Sequence, residues 1–128
     1  MIKDVFALIE IANEDLDEAT DSFKKGRYRI TCFFSQQAAE KYLKAFLLSR
    51  KREYPFEHSI AYLIRECEKI DRDFVLLFEI GVHKLGKYYT RTRYLPLLKI
   101  TKEDAVEALG MAERVRDFVL GKLKVSKR

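Results

Sequence analysis

Apolar residues recur along most of the chain at intervals of three and four positions, which is the spacing of an amphipathic helix. The first such stripe predicts a helix over residues 2–24. We expect Gly26 to end it, because glycine readily adopts the left-handed conformation found just past helix C-termini. The apolar positions of this stripe are Val5, Ile9, Ala12, Leu16, Ala19 and Phe23.

The second predicted helix, residues 27–51, is apolar on two nearly opposite faces. One face carries Ile30, Phe34, Ala38, Ala45 and Leu48, and the other carries Cys32, Ala39, Tyr42, Leu43, Phe46 and Leu47. A helix with two apolar faces must be covered on both sides. We therefore expect a second copy of the chain to supply one cover, which makes the protein a homodimer.

Two polar side chains, Gln37 and Lys41, lie within the first of these apolar faces. Buried polar groups need hydrogen-bond partners, so we expect the pair either to join a polar network or to line the floor of a ligand cleft. The alternative is that their long stems carry the polar ends out to solvent.

A proline then interrupts the helical pattern. Pro55 lacks an amide hydrogen and restricts the residue before it, so the second helix must end ahead of it. We expect a short third helix to follow, capped by His58 or Ser59. Its apolar positions are Ile60, Leu63, Ile64 and Cys67.

Two further helices are predicted, over residues 72–92 and 102–123. Thr101 and Asp104 have the approximate spacing of a capping box at the start of the last helix. Helices joined by short loops, without internal repeats, predict an all-α bundle that forms a single domain over residues 1–128.

The composition agrees with this fold and narrows the classes of protein. The chain is 48% hydrophobic and 35% charged with five glycines and two prolines, which excludes a disordered protein and disfavours an all-β sandwich. No apolar run approaches the ~20 residues that span a bilayer, so we expect no membrane association. Two cysteines do not form a disulfide framework, which favours a cytoplasmic protein. The only side-chain amides are Asn13, Gln36 and Gln37, a scarcity typical of thermophilic sources.

Charges of opposite sign are concentrated in different parts of the chain, which has a net charge of +5. Residues 1–23 hold seven acids and one base, whereas residues 80–102 hold six bases and no acid. Such segregation can attract a polyanion or an acidic protein to the basic surface. The alternative is that the acidic and basic helices of one bundle neutralise each other.

The segment at residues 84–96 combines bases with tyrosines. We expect Arg91 and Arg93 to hold phosphate, because guanidinium groups bind it bidentately. Tyr89 and Tyr94 are expected to stack on a base or to orient it. The alternative is a solvated basic helix end whose tyrosines pack in the core. The other candidate binding residues of the segment are Lys84 and Lys87.

Metal and cofactor sites find no support in the sequence. Glu79 and His83 are one helical turn apart, but a di-iron bundle needs paired Glu-x-x-His motifs and further carboxylates. Two histidines without a cysteine pair do not make a zinc site. A glycine-rich phosphate loop is missing as well. We therefore expect neither a metal nor a cofactor.

A longer motif lies around the second helix. Residues 26–28 (GRY) precede the string FFSQQAAEKYLKAFL at residues 33–47, and together they resemble the signature of HEPN domains, the "higher eukaryotes and prokaryotes nucleotide-binding" domains. Residues 58–60 (HSI) and 92–96 (TRYLP) resemble later motifs of that family in the expected order. The resemblance implies a five-helix, up-and-down bundle that usually dimerises. It also implies a minimal nucleotidyltransferase as partner, in a toxin–antitoxin-like pair.

Many HEPN relatives are metal-independent ribonucleases that use an arginine followed, after four to six residues, by a histidine. Here no histidine follows Arg91 and Arg93. Arg52 and His58 match the spacing only across a helix break. Because a catalytic acid or base contributes roughly 10²–10⁴-fold, we expect little ribonuclease activity. If the protein is an enzyme, it is a ribonuclease, and His58 or His83 is the catalytic candidate.

These residues predict a HEPN-domain protein that binds a nucleotide or RNA, with Gln37 and Lys41 on the floor of its cleft. A metal-independent ribonuclease toxin is the alternative among enzymes. A non-catalytic dimeric adaptor, whose basic face docks an acidic protein, is the alternative among structural proteins.

Overall fold

The computed structural model describes residues 2–89 and 99–124. Its helices are α1 (Ile2–Lys24), α2 (Tyr28–Lys51), α3 (Ile60–Ile70), α4 (Val75–Glu79) and α5 (Lys102–Leu123), with 3-10 turns at Arg72–Phe74 and Val82–Lys87. Neither range contains a strand. The fold is therefore an all-α, up-and-down bundle, as predicted. Within the same ranges, no helix is long and apolar enough to cross a membrane.

A tight turn sets α2 against α1. Gly26 has the left-handed φ of +72° expected of a residue just past a helix, and the Arg27 amide donates to the Ser22 carbonyl at 2.8 Å. The hydroxyls of Ser22 and Thr31 are hydrogen-bonded at 2.9 Å and join the two helices beside the turn. The predicted stripe of α1 is buried at Val5, Ile9, Ala12, Leu16 and Ala19 and half-buried at Phe23.

The central helix of the bundle is α2, which packs against α1, α3 and α5. Both of its predicted apolar faces are largely buried within the single chain. Of the positions named for them, only Ile30 and Phe34 are half-buried, and the rest are buried. The chain itself therefore supplies both covers, and the two-faced pattern of α2 does not require a second copy.

The region predicted as one helix over residues 72–92 is divided into short pieces, so that prediction was wrong. Helix α4 ends at Glu79, and Gly81 has a φ of +88°, a left-handed conformation that no continuous helix contains. The apolar periodicity nevertheless continues across the break, because Leu77 and Leu85 are both buried. Residues 90–92 of the predicted helix lie outside the described residues.

Local capping signals were more reliable. Ser59, one of the two predicted caps of α3, accepts a hydrogen bond from the Tyr62 amide at 3.2 Å. Thr101 and Asp104 form the predicted capping box of α5, with hydrogen bonds of 3.1 and 2.9 Å. These bonds satisfy amide groups that a helix N-terminus leaves unpaired.

The two cysteines are unpaired and belong to the core. Burial raises the pKa of Cys32 to about 12 and raises the pKa of Cys67 as well. Because the thiolate is the reactive form, neither side chain is suited to act as a nucleophile near neutral pH.

Candidate functional site

Three polar side chains, Gln36, Glu40 and Lys44, occupy successive turns of α2 and are buried there. We call them the α2 polar row. The Gln36 amide donates to one Glu40 carboxylate oxygen at 3.1 Å, and the Lys44 ammonium donates to the other at 2.8 Å. The carboxylate is 6% exposed and the ammonium-bearing side chain 8% exposed. Each charge in this pair compensates the other in a place that water scarcely reaches.

Gln37 and Lys41 extend this row towards α1. The Gln37 amide donates to the Gln36 side-chain carbonyl at 2.7 Å, and Lys41 donates to Gln37 at 3.4 Å. Lys41 also forms a salt bridge with Asp15 of α1. Both residues thus join a polar network, which was one of the alternatives for them. Their role on the floor of a ligand cleft stays a prediction.

His58 approaches the α2 polar row from the loop between α2 and α3. Its Nδ1 lies 3.0 and 3.2 Å from the two carboxylate oxygens of Glu40, and the Gln36 amide donates to its carbonyl at 3.4 Å. A carboxylate only accepts hydrogen bonds, so Nδ1 carries a proton and donates it to Glu40. The imidazole is thereby oriented, although its side chain is still 44% exposed.

The backbone around His58 is fixed by the residue before it. The Glu57 carboxylate accepts hydrogen bonds from the amides of His58 and Ser59, at 2.9 and 3.2 Å. These backbone hydrogen bonds favour the ionised form and lower the pKa of Glu57. The carboxylate thus holds the start of α3 and the position of the histidine together.

Two aromatic rings lie next to the imidazole. Tyr89 stacks on His58 with ring centroids 4.4 Å apart and an interplanar angle of 14°. On the loop itself, the ring of Phe56 lies 6.4 Å from that of His58, tilted by 52°. We call the two stacked residues the His58–Tyr89 pair. It brings one candidate catalytic residue and one candidate base-stacking residue into contact.

His83 has a different environment. Its ring packs on Phe78, with centroids 5.2 Å apart, and the side chain is half-buried. Its Nδ1 is buried and has no hydrogen-bond partner in the part of the chain that the structure describes. Among residues 2–89 and 99–124, no carboxylate or amide is hydrogen-bonded to this Nδ1.

The predicted binding residues Lys84 and Lys87 are exposed on the 3-10 turn Val82–Lys87. The Lys87 ammonium lies 5.2 Å from the ring centroid of Tyr88, which is buried. Neither lysine takes part in the hydrogen bonds of the α2 polar row. The other candidates of this segment, Arg91, Arg93 and Tyr94, lie outside the described residues.

Sequence reasoning missed four residues of this arrangement: Gln36, Glu40, Lys44 and Phe56. The first three follow one another at intervals of four within a helix that is otherwise mainly apolar. That spacing places them on one line of the helix surface and would have been a usable signal. In contrast, no spacing of residues in the sequence around Phe56 predicts that its ring is exposed.

No group of three or more His, Cys, Asp or Glu side chains is placed to hold a metal ion within residues 2–89 and 99–124. The contacts that are present around His58 are hydrogen bonds, an ion pair and ring stacking. Such groups can recognise a ligand, and an oriented imidazole can in addition transfer a proton.

Comparisons with known proteins agree with the fold. The crystal structure of TT1696 from Thermus thermophilus superimposes on this fold with a TM-score of 0.77, and the two sequences are 33% identical. The match covers 92% of this chain and 97% of TT1696. ST0689, described as an archaeal HEPN homologue, is 31% identical with a TM-score of 0.69, covering 92% of this chain and 96% of that one. Comparison with curated proteins gives no match. The family model of the HEPN domain matches residues 5–123, so the chain belongs to the HEPN domain family.

Proposed function

We propose that this protein binds a nucleotide or RNA at a surface formed by the His58–Tyr89 pair and the basic segment that follows it. The observation that carries the proposal is the pair itself, in which an exposed imidazole held by Glu40 stacks on a tyrosine. Aromatic rings of fixed orientation are the groups on which bases stack. Tyr89 precedes Arg91 by two positions in the sequence, which brings phosphate-binding chemistry into the same segment.

The distribution of charge supports the same ligand class. Residues 80–102 contain six bases and no acid, while seven acids are concentrated in residues 1–23. A surface of one sign attracts a phosphate backbone, and each phosphate neutralised releases condensed counterions. Gln37 and Lys41 contribute to the proposal through the network that links α1 with the α2 polar row.

A metal-independent ribonuclease is the second candidate, and the contact between His58 and Glu40 favours it. The carboxylate binds Nδ1 and orients the ring, which leaves Nε2 as the nitrogen that can exchange a proton with RNA. His58 thus has the environment of a general acid or base, whereas within the described part of the chain no carboxylate contacts Nδ1 of His83. Metal-free cleavage of RNA that His58→Ala abolishes would establish this second function.

A second copy of the chain and a minimal nucleotidyltransferase are the two proposed protein partners. Membership of the HEPN family supports both, since such domains usually dimerise and are often encoded beside such an enzyme. The burial of α2 within one chain takes away the separate argument for the dimer. The adaptor alternative gains nothing specific from the described residues.

The experiment that tests ligand binding measures RNA affinity as a function of salt concentration. Replacement of Arg91 and Arg93 together by alanine should weaken binding and lower the slope of log affinity against log salt by about 1.4, roughly 0.7 for each lost phosphate contact on a single strand. The matched control replaces Arg72 and Arg114, two exposed arginines elsewhere, and removes the same charge. Equal slopes for wild type and the Arg91/Arg93 variant would contradict the proposal.

A further inference from the structure

Phe56 is the most exposed of the large apolar side chains within the described residues, at 99%. Its ring thus adds almost nothing to the core, and the fold gives no reason for an aromatic side chain at this place. Single exposed apolar residues are common on protein surfaces, so exposure alone does not mark a site. Whether Phe56 belongs to a binding site therefore depends on the side chains around its ring.

Phe56 has the His58 ring of the His58–Tyr89 pair as an aromatic neighbour. The centroid of Phe56 lies 6.4 Å from that of His58, which in turn stacks on Tyr89 at 4.4 Å. Separations of this size are typical of interacting aromatic rings, which prefer centroids about 4.5–7 Å apart. The three rings therefore form a cluster, in which His58 stacks on Tyr89 and the exposed Phe56 ring lies tilted by 52° next to His58.

The loop that carries Phe56 is held at both sides of the ring. Pro55 restricts the backbone before it, and Glu57 accepts hydrogen bonds from the amides of His58 and Ser59 after it. Glu57 thus turns its carboxylate back onto the loop backbone. A ring presented on a restrained backbone loses less conformational entropy when a ligand stacks on it.

We propose that Phe56, His58 and Tyr89 form a stacking platform for consecutive unpaired bases, so that the ligand is single-stranded RNA and not a mononucleotide or a duplex. The inference rests on the proposed function and names the ligand class of the same site. One base stacks at the His58–Tyr89 pair and the next on Phe56. Bases inside a duplex have both faces covered by their neighbours, so they cannot use such a platform.

The chemistry around the ring favours RNA over a docked protein. A hydrophobic docking site is a contiguous apolar patch, whereas the ring nearest to Phe56 is an ionisable imidazole and the next residue is Glu57. Of the three bases that precede the loop, Arg50 donates to the Lys122 carbonyl and Lys51 pairs with Glu66, while the exposed Arg52 adds positive charge next to the loop in the sequence. Planar bases can stack on the aromatic rings, and the phosphate backbone that joins them carries the charge opposite to that of Arg52.

The test measures the affinity of the full-length chain for adenosine monophosphate, single-stranded hexa-adenylate and a blunt RNA duplex. Phe56→Ala should weaken hexa-adenylate binding by about tenfold, the effect of losing one stacked base, while the affinity for the mononucleotide changes by less than about twofold. The salt dependence should not change, because no charge is removed. Phe56→Trp should restore binding, since it restores the ring face.

The matched control is Phe6→Ala on α1, which removes a ring that is 48% exposed from the acidic helix and should leave all three affinities unchanged. If Phe56→Ala binds hexa-adenylate like wild type while the Arg91/Arg93 variant loses salt dependence, the platform is wrong and the proposed function stands. If wild type binds none of the three ligands, the proposed function fails and the platform with it. Loss of a partner protein on Phe56→Ala, with RNA affinity unchanged, would identify a docking residue and overturn the platform.

Discussion

The two histidines of the chain lie in regions of opposite character. His58 is held by the α2 polar row, through Glu40, and by the stacked ring of Tyr89. His83 packs on Phe78 two residues after the backbone break at Gly81, and its buried Nδ1 has no partner among the described residues. The sequence offered the two as equal candidates, and the environment of the ring separates them.

The difference shows that an imidazole becomes available for recognition or proton transfer through the groups that hold it. A carboxylate at Nδ1 selects the tautomer and fixes the orientation of the ring. Apolar packing against a phenyl ring does neither of these. The position of His58 thus depends on the buried carboxylate of Glu40, whereas His83 lies in the turn that follows Gly81 and packs on Phe78.

The largest effect is expected from removing the buried charge that holds His58. Glu40→Ala leaves the Lys44 ammonium buried without a carboxylate, which should lower the free energy of unfolding by about 3–5 kcal/mol. Urea denaturation measures the loss. Asp117→Ala is the control, because it breaks a solvent-exposed pair with Arg116 and should cost less than about 1 kcal/mol. A similarly small loss for Glu40→Ala would mean that Lys44 reaches water and that the α2 polar row does not organise the site.

The two histidines themselves provide a direct comparison. His58→Ala should weaken hexa-adenylate binding by about tenfold, because it removes the ring that lies next to both Tyr89 and Phe56, and His83→Ala should change it by less than about twofold. Fluorescence anisotropy with both variants and wild type measures the difference. Equal losses would show that the two regions do not differ in function.

The same three proteins also distinguish binding from catalysis. Incubated with RNA without metal, wild type should show little cleavage, in keeping with the missing histidine after Arg91 and Arg93. Robust cleavage that His58→Ala abolishes and His83→Ala preserves would instead support the ribonuclease function.

Much of the fold could be predicted because its signals are local. The bounds of α1, α2 and α5 follow from apolar periodicity together with the turn at Gly26 and the capping box of Thr101 and Asp104. The fourth helix was predicted wrongly because the apolar stripe continues across Gly81, where only the backbone conformation changes. Apolar periodicity predicts which side chains are buried, but it does not predict a break in the helical backbone between them.

The site was less predictable because its contacts join distant parts of the chain. Gln37 and Lys41 attracted notice as polar residues in an apolar face, and both proved to belong to a network. Glu40 has the sequence appearance of an ordinary helix charge, and its burial depends on packing by other elements. The stacking of His58 on Tyr89 joins a loop to a segment far along the sequence, so no local spacing of residues predicts this contact.

The smallest effect tests whether the turn beside His83 is independent of the His58 region. Gly81→Ala places a side chain at a φ of +88°, and it should lower the free energy of unfolding by about 1 kcal/mol. The cost is conformational, because the atoms nearest to a Cβ at this position belong to the flexible Lys84 side chain and lie at ordinary contact distances of 3.6–3.7 Å. Urea denaturation is again the measurement.

Gly121→Ala is the matched control, since Gly121 lies in α5 and, apart from its own helix backbone, no described atom lies within 4 Å of where a Cβ would be. There alanine should stabilise the protein by about 0.5–1 kcal/mol. The affinity of the folded Gly81→Ala variant for hexa-adenylate should equal that of wild type. If stability and affinity fall together, the turn and the His58–Tyr89 pair are coupled. In that case the Val82–Lys87 turn, which leads directly to Tyr89, positions the stacked ring, and the two histidine regions act as one.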